Sequence, residues 1–312
     1  MNKRLHYVRF FLHNVPSTVF CALAHKSKPI KRFRGERGIT TEKSGAFLRD
    51  KILSGEPFCA IRFGGSEIGC LNNHEKIQLG FKKTYKESVR WAMKVRAGFY
   101  PTDDKHFDDY SEKFEKEAGF ADILAISGLH MEDYFAEKLT PHAKIISNWA
   151  MEPLLGLWTP ALKGKKVLVV SPFASEIRSQ YARREKLFPA NSEILPEFDL
   201  TVIEAPKTLG EQTDFSYPSF MKALEATEKD ISKISFDIAL IGAGAYGSLL
   251  CFYCRSLGKS AIQSGGATQT LFGILGKRWE NRPHVARWVN EYWIRPENKP
   301  LGYEKIDNGA YW

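Results

Sequence analysis

The chain has 312 residues, 43% of them hydrophobic and 26% charged, with a formal net charge of +9. That balance excludes a disordered chain, a collagen-like repeat and a small disulfide scaffold, and it supplies enough sequence for one large domain or two of ordinary size. Five scattered cysteines, Cys21, Cys59, Cys70, Cys251 and Cys254, fit a reducing, cytoplasmic setting and offer no four-ligand zinc spacing. Cys251 and Cys254 read as small buried residues one helical turn apart rather than as a redox pair.

The charge is concentrated at the start. Residues 1–37 form a leader with nine basic residues against Glu36 alone, a net of +8, so residues 38–312 carry only +1. A basic groove for nucleic acid in the body of the chain is therefore not expected. In the leader, Tyr7, Val8, Phe10, Phe11 and Leu12 lie near Lys3, Arg4 and Arg9, and Pro16 interrupts the apolar run. Such a segment is too broken to span a bilayer; it suits either an interfacial contact with anionic lipid or a solvated basic arm with a few residues packed on the domain.

From residue 38 onward the pattern alternates. A helix is expected from Thr41 to Leu53, a strand over Phe58–Phe63, a helix over Glu87–Ala97, a polar stretch carrying Asp103, Asp104, Asp108 and Asp109, and a strand over Ile123–Ile126. The stretch from Pro153 to Gly164 is the expected join between an N-terminal part, 38–160, and a C-terminal part, 161–312. Beyond it come a strand over Lys165–Val170, a helix over Ala174–Phe188, a strand over Leu200–Ala205, a helix over Tyr217–Ile234, a strand over Ile238–Ile241, a helix over Ser248–Leu257 and a strand over Ser260–Gln263. Ile238 to Cys254 is free of charge for 17 residues, but the glycines at its centre make it strand, loop and helix rather than a membrane span. Apolar strands alternating with helices predict an α/β fold, a Rossmann-like and mostly parallel sheet with helices on both faces.

In such folds ligands bind beyond the carboxyl ends of the strands. Four strand ends carry chemistry. Arg62-Phe-Gly-Gly-Ser-Glu67 offers a guanidinium for phosphate, glycines at Gly64 and Gly65 for close approach, a hydroxyl at Ser66, and a carboxylate at Glu67 that can accept a proton or hold a cation. Ser171, Pro172 and Phe173 end the strongest strand, and Arg178, Gln180 and Arg183 after them read as structural or solvated. Gly242-Ala-Gly-Ala-Tyr-Gly247 satisfies GxGxxG with Gly242, Gly244 and Gly247, yet no acidic residue follows between Ile238 and Trp279, and Gln263 stands where a ribose-binding acid belongs. No NAD is therefore expected. Gly265-Gly266-Ala-Thr-Gln269, followed by Lys277, Arg278, Trp279 and Glu280, is the densest local cluster of glycines, cations and an indole. There is no Walker A loop, GxSxG elbow or HExxH helix.

Taken in order over roughly residues 45–312, with the aromatic tail Gly309-Ala-Tyr-Trp312, these segments resemble the bacterial glycosyltransferases of the GT-D type, found in surface-polysaccharide and glycan loci. The resemblance implies transfer of a sugar from a nucleotide-sugar donor, typically a UDP-sugar, to a hydroxyl of a glycan or polyprenyl-linked acceptor, at the inner face of the cytoplasmic membrane. In that family an Arg-Phe-Gly-Asp-Gly-Glu segment supplies two carboxylates for a divalent metal, Mn²⁺ or Mg²⁺. Here Gly65 stands at the position of the aspartate, which leaves Glu67 as the one ligand and puts metal dependence in question.

On this reading Glu67 is the first candidate for catalytic base or metal ligand, followed by Glu280 and Asp104. Arg62, Lys277, Arg278 and the glycine loops would meet the diphosphate, Ser171 and Gln269 the ribose or sugar hydroxyls, and Tyr246 or Trp279 a ring. Two rival readings stay open at this point: a non-catalytic nucleotide-sugar-binding or assembly protein, and an NAD-dependent oxidoreductase.

Overall fold

The computed structural model describes residues 2–24, 32–37, 39–211 and 216–312, with side-chain environments omitted at 17–24, 32 and 37. Lys26, Lys28 and Lys31 of the basic leader lie outside the described residues. The helices are α1 (Lys3–Ala24), α2 (Thr41–Ser54), α3 (Gly65–Gln78), α4 (Glu87–Ala97), α5 (Asp104–Glu117), α6 (Glu132–Leu139), α7 (Pro153–Gly156), α8 (Ala174–Tyr181), α9 (Arg184–Leu187), α10 (Phe220–Ser232), α11 (Tyr246–Ser256), α12 (Thr268–Leu271) and α13 (Pro283–Ala286). A small hairpin pairs β1 (Arg32–Phe33) with β2 (Glu36–Arg37). The main sheet contains β3 (Cys59–Arg62), β4 (Ile123–Ile126), β5 (Lys144–Ser147), β6 (Lys166–Ser171), β7 (Asp199–Glu204), β8 (Ile238–Ile241) and β9 (Ser260–Ile262).

The seven strands run in the order β5-β4-β3-β9-β8-β6-β7, and every pairing is parallel. The expected α/β architecture is therefore present. Successive residues of each strand serve opposite faces: Leu168 and Val170 of β6 join a core with α3, α5, α10 and α11, while Val167 and Val169 join one with α2, α7, α8 and the C-terminal segment. Strands from both sides of residues 153–164 share this one sheet, and that stretch packs beneath α2 as α7 and a 3-10 turn.

The connection from β6 leaves toward β7, whereas the connection from β8 leaves the opposite way toward β9. Their carboxyl ends thus open a crevice at a topological switch point, where ligands of open α/β sheets bind.

Three sequence expectations need correction. The polar stretch around Asp103–Asp109 is the start of α5: Asp103 caps it by accepting from His106 N at 3.2 Å, and Phe107, Tyr110 and Phe114 form a fully buried stripe at helical spacing. The long helix expected over Ala174–Phe188 divides into α8 and α9. The start of the leader is a helix rather than a broken run, because α1 continues through Pro16, and it packs a few residues, Tyr7, Phe10 and Phe11 among them, against the main core. No described helix is long and apolar enough to cross a membrane. Cys251 and Cys254 are buried on α11, as expected.

Candidate functional site

Two hollows joined by a narrow neck open above the carboxyl ends of the central strands. The first encloses about 280 Å³ between the β3 loop, the loops after β8 and β9, and the C-terminal tail. The second encloses about 360 Å³ between Pro172 and Phe173, the Gly242–Gly244 turn, Lys207 and Trp312. The neck is lined by Ser171, Thr268, Gln269 and Tyr311. Three of the four sequence segments, separated by some two hundred positions, thereby meet around the first hollow, and the Ser171 segment reaches it through the neck.

Arg62 ends β3 with its guanidinium laid across Gly265. A Cβ at Gly265 would stand 2.3 Å from Arg62 Nη2, and φ there is +61°, so only glycine suits this crossing. Arg62 N donates to Gln263 Oε1 at 3.0 Å, and Ser248 Oγ donates to the same oxygen at 3.0 Å. Gln263, which took the place of a ribose-binding acid in the sequence, therefore ties β3, β9 and α11 together.

Glu67 lies in the first turn of α3 and folds its carboxylate back over Gly64, where a Cβ would meet Oε2 at 2.1 Å. Burial pushes this carboxyl above the ordinary glutamate range; its own backbone N–H and the Arg62 charge act the other way and fall short. Gly65, next to it, faces open space: a Cβ there would meet nothing within 4 Å.

Cationic residues form the opposite wall. Arg278 donates through Nη2 to Asp307 Oδ2 at 2.6 Å, and Arg96 Nε stands 3.6 Å from Asp307 Oδ1. The Arg278 guanidinium also lies 4.8 Å from the Tyr311 ring centroid, a cation–π arrangement. Tyr311 in turn sits against Gly266, where a Cβ would be 2.1 Å from its ring. Arg96, Asp307 and Tyr311 were not singled out from the sequence, and Gln263 was noted only as standing where a ribose-binding acid belongs. Nothing local marks Arg96, and only the aromatic character of the tail hinted at Tyr311.

The glycine loop after β8 answers to packing within the chain. A Cβ at Gly242 would stand 2.6 Å from Gly265 O, one at Gly244 would be 2.9 Å from Ala97 O, and one at Gly247 would press on the Gln263 side chain. Ala245 N donates to Ala97 O at 3.1 Å. The GxGxxG spacing is thus accounted for without a dinucleotide, although Gly242 and Gly244 do line the hollows.

Several candidates lie outside the two hollows or are already engaged. Asp104 is ion-paired with Arg90 at the start of α5; burial disfavours its charge, but hydrogen bonds from Thr84 and Arg90 and the guanidinium charge outweigh that and hold it below the usual carboxylate range. Glu280 is paired with Arg295. Trp279 is buried, and Tyr246, buried with its ring stacked on Phe220 at 3.9 Å, forms part of the wall of the second hollow. Gln269 donates through Nε2 to Ile274 O at 3.2 Å and Tyr311 O at 3.1 Å, which anchors the tail, while its Oε1 is buried without a partner. Ser171 Oγ accepts from Phe173 N at 3.2 Å and shapes its own turn. Lys277 is exposed and lines neither hollow, and Gly247 lines none. Gln180, as expected, is structural, donating to Gly273 O and Tyr292 O at 3.1 Å. Among the described residues, no three His, Cys, Asp or Glu side chains gather in a way that could hold a metal ion.

No family model matches the sequence, and no curated protein matches it. Two solved structures are similar at low identity. One, a selenomethionine-substituted structure of domain of unknown function 1792, is 12% identical with a TM-score of 0.39, over 84% of this chain and 98% of that chain. The other, described as "The highly conserved domain of unknown function 1792 has a distinct glycosyltransferase fold", is 13% identical with a TM-score of 0.36, over 86% of this chain and 98% of that chain.

Proposed function

We propose that the chain is a glycosyltransferase that moves a sugar from a nucleotide-sugar donor, a UDP-sugar by preference, to a hydroxyl of a glycan acceptor of bacterial surface polysaccharide, carried on a polyprenyl diphosphate. The observation that carries this reading is the pairing, across one hollow, of a carboxylate with an elevated pKa and three arginines, with a second hollow of mixed polar and aromatic lining joined to it. The basic leader and this acceptor together suggest action at the cytoplasmic face of the membrane.

In this account the donor diphosphate lies between Arg62, Arg96 and Arg278 and over the Gly265–Gly266 turn. The nucleoside extends through the neck into the hollow beside Phe173 and Trp312. Glu67 takes the proton of the acceptor hydroxyl as its oxygen bonds to the anomeric carbon, and the bond from that carbon to the diphosphate breaks with its electron pair. Guanidinium groups aimed at the departing phosphate oxygens stabilise the charge that develops there. A raised pKa makes the ionised carboxylate a stronger base toward the acceptor hydroxyl, at the cost of a smaller ionised fraction at lower pH.

The donor set does not suit a divalent cation. One carboxylate faces an arginine, and the other carboxylate lining this hollow, Asp307, is engaged by Arg278 and Arg96. No step is therefore routed through a metal. The test is a transfer assay with a panel of nucleotide sugars and a lipid-linked glycan acceptor, in EDTA. Turnover by the wild type and its loss in Glu67→Gln would support the reading, while nucleotide binding without any turnover would favour a non-catalytic binding protein.

A further inference from the structure

We propose that the free flank of α1 and the loop between α3 and α4 form one docking surface for an anionic lipid bilayer. The helix is seated by Tyr7, whose hydroxyl donates to Asn72 Oδ1 at 2.7 Å, and by Asn14, whose Nδ2 donates to Asp133 Oδ1 at 2.9 Å. One flank is taken up by α6, with His6 and His13 beside Glu137 and Asp133. The other carries Leu5 and Leu12, 66% and 63% exposed, at helical spacing with the half-buried Val15, while Val8 packs on the core at the edge of this flank.

The α3–α4 loop lies against this same flank. Phe81, 44% exposed, has its ring centroid 5.8 Å from that of Tyr7 and 6.0 Å from the Arg4 guanidinium. Lys76 Nζ stands 5.3 Å from the Phe11 ring, and Lys82, Lys83 and Lys86 are exposed around it.

The neighbouring carboxylates are engaged elsewhere: Glu75 with Lys138 and Tyr134, Asp108 with His74 and Tyr85, and Glu87 with Arg90. Among the described residues Lys82, Lys83 and Lys86 have no acidic partner. Burial lowers the Lys76 pKa, and the charges of Lys86 and Lys82 lower it further, which marks cations gathered without counter-charge.

A bilayer with anionic headgroups supplies the missing negative charge and also takes up exposed leucine and phenylalanine side chains at the acyl boundary. A nucleic acid would meet the lysines but leave the leucines in water. The surface adjoins the proposed reaction centre, because Phe11 packs 5.6 Å from His130 in the loop whose Ser127 and Leu129 line the first hollow. The docking inference stands on these residues alone; its use, presenting the hollow to a lipid-borne acceptor, rests on the transferase reading.

The experiment is co-sedimentation of the full chain with phosphatidylcholine vesicles, with and without phosphatidylglycerol, at low and high salt. The wild type is expected to bind only the anionic vesicles and to release in salt. Lys82→Gln/Lys83→Gln/Lys86→Gln should lower partitioning on the order of a hundredfold, and Leu5→Ser/Leu12→Ser by at least about tenfold. Both variants should keep the UDP-induced melting shift of the wild type, so failure at the hollow and failure at the surface read out separately. Absence of wild-type binding to anionic vesicles, undiminished binding by the lysine variant, or tighter binding to a single-stranded RNA than to vesicles would overturn the proposal.

Discussion

Arg278 Nη2 donates to Asp307 Oδ2 at 2.6 Å, which sets a carboxylate of the chain's own tail at the cationic end of the first hollow. That carboxylate occupies donors the diphosphate would use. Asp307→Asn should therefore tighten UDP binding by about threefold to tenfold, and Arg278→Ala should weaken it by about tenfold or more. Isothermal titration calorimetry of the two variants checks the pair, and weaker binding by Asp307→Asn would show that Asp307 orients the arginines rather than competing for them.

Glu67 gives a prediction in which stability and activity move in opposite directions. Its pKa is raised in the folded chain from an ordinary value of 4.5, so above 4.5 the folded state holds its proton more tightly than the unfolded state. Folding stability contributed by this group then falls as pH rises through that window, and the ionised carboxylate is a net cost at neutral pH. Glu67→Gln should raise the melting temperature at pH 7, with the gain disappearing toward pH 4, while lowering transfer about a hundredfold to ten-thousandfold. In the wild type, activity should rise with pH through a limb displaced above the usual carboxylate range. Glu280→Gln, which touches only the Arg295 pair, should leave transfer unchanged.

Gly65 bears on metal use. Because a Cβ there meets open space, Gly65→Asp should fold normally and place a second carboxylate beside Glu67. The variant is expected to acquire calorimetrically measurable Mn²⁺ binding that the wild type lacks, whereas EDTA should leave UDP binding by the wild type unaltered. Loss of wild-type UDP binding in EDTA would count against the arginine account.

The glycine loop makes a structural prediction. Gly242→Ala sets a methyl group 2.6 Å from the Gly265 backbone oxygen, which has no room to yield, so the variant should lose about 1–3 kcal/mol of stability. Chemical denaturation measures this. An unchanged midpoint would mean that the two loops are less closely docked than described.

Much of the sheet was legible because its strands are short apolar runs followed by glycine or serine, as at Ile238–Ile241, and α4 emerges with its exact bounds. β5 escaped notice since only Ile145 and Ile146 within it are buried hydrophobics, too few for a period. Around α5 the acidic residues masked the Phe107, Tyr110 and Phe114 stripe. Of the site, the glycine turns, Arg62 and the position of Gln263 were visible locally, whereas Arg96 and Asp307 meet across a separation that no spacing reveals. Trp279 and Tyr246 look equally available in their glycine-rich loops, yet both rings are largely buried, and of the two only Tyr246 lies in the wall of a hollow.

If the joined hollows hold a nucleoside diphosphate through arginines, UDP stabilises the chain without any metal. The most direct test is the melting temperature of the wild-type chain with UDP in the presence of EDTA, beside GDP, CMP and NAD. At a UDP concentration 100 times its Kd, stabilisation of about 2.7 kcal/mol should raise the midpoint by several degrees, at roughly 2–4 °C per kcal/mol. A shift with NAD alone, or none with any sugar-carrier nucleotide, would contradict the account.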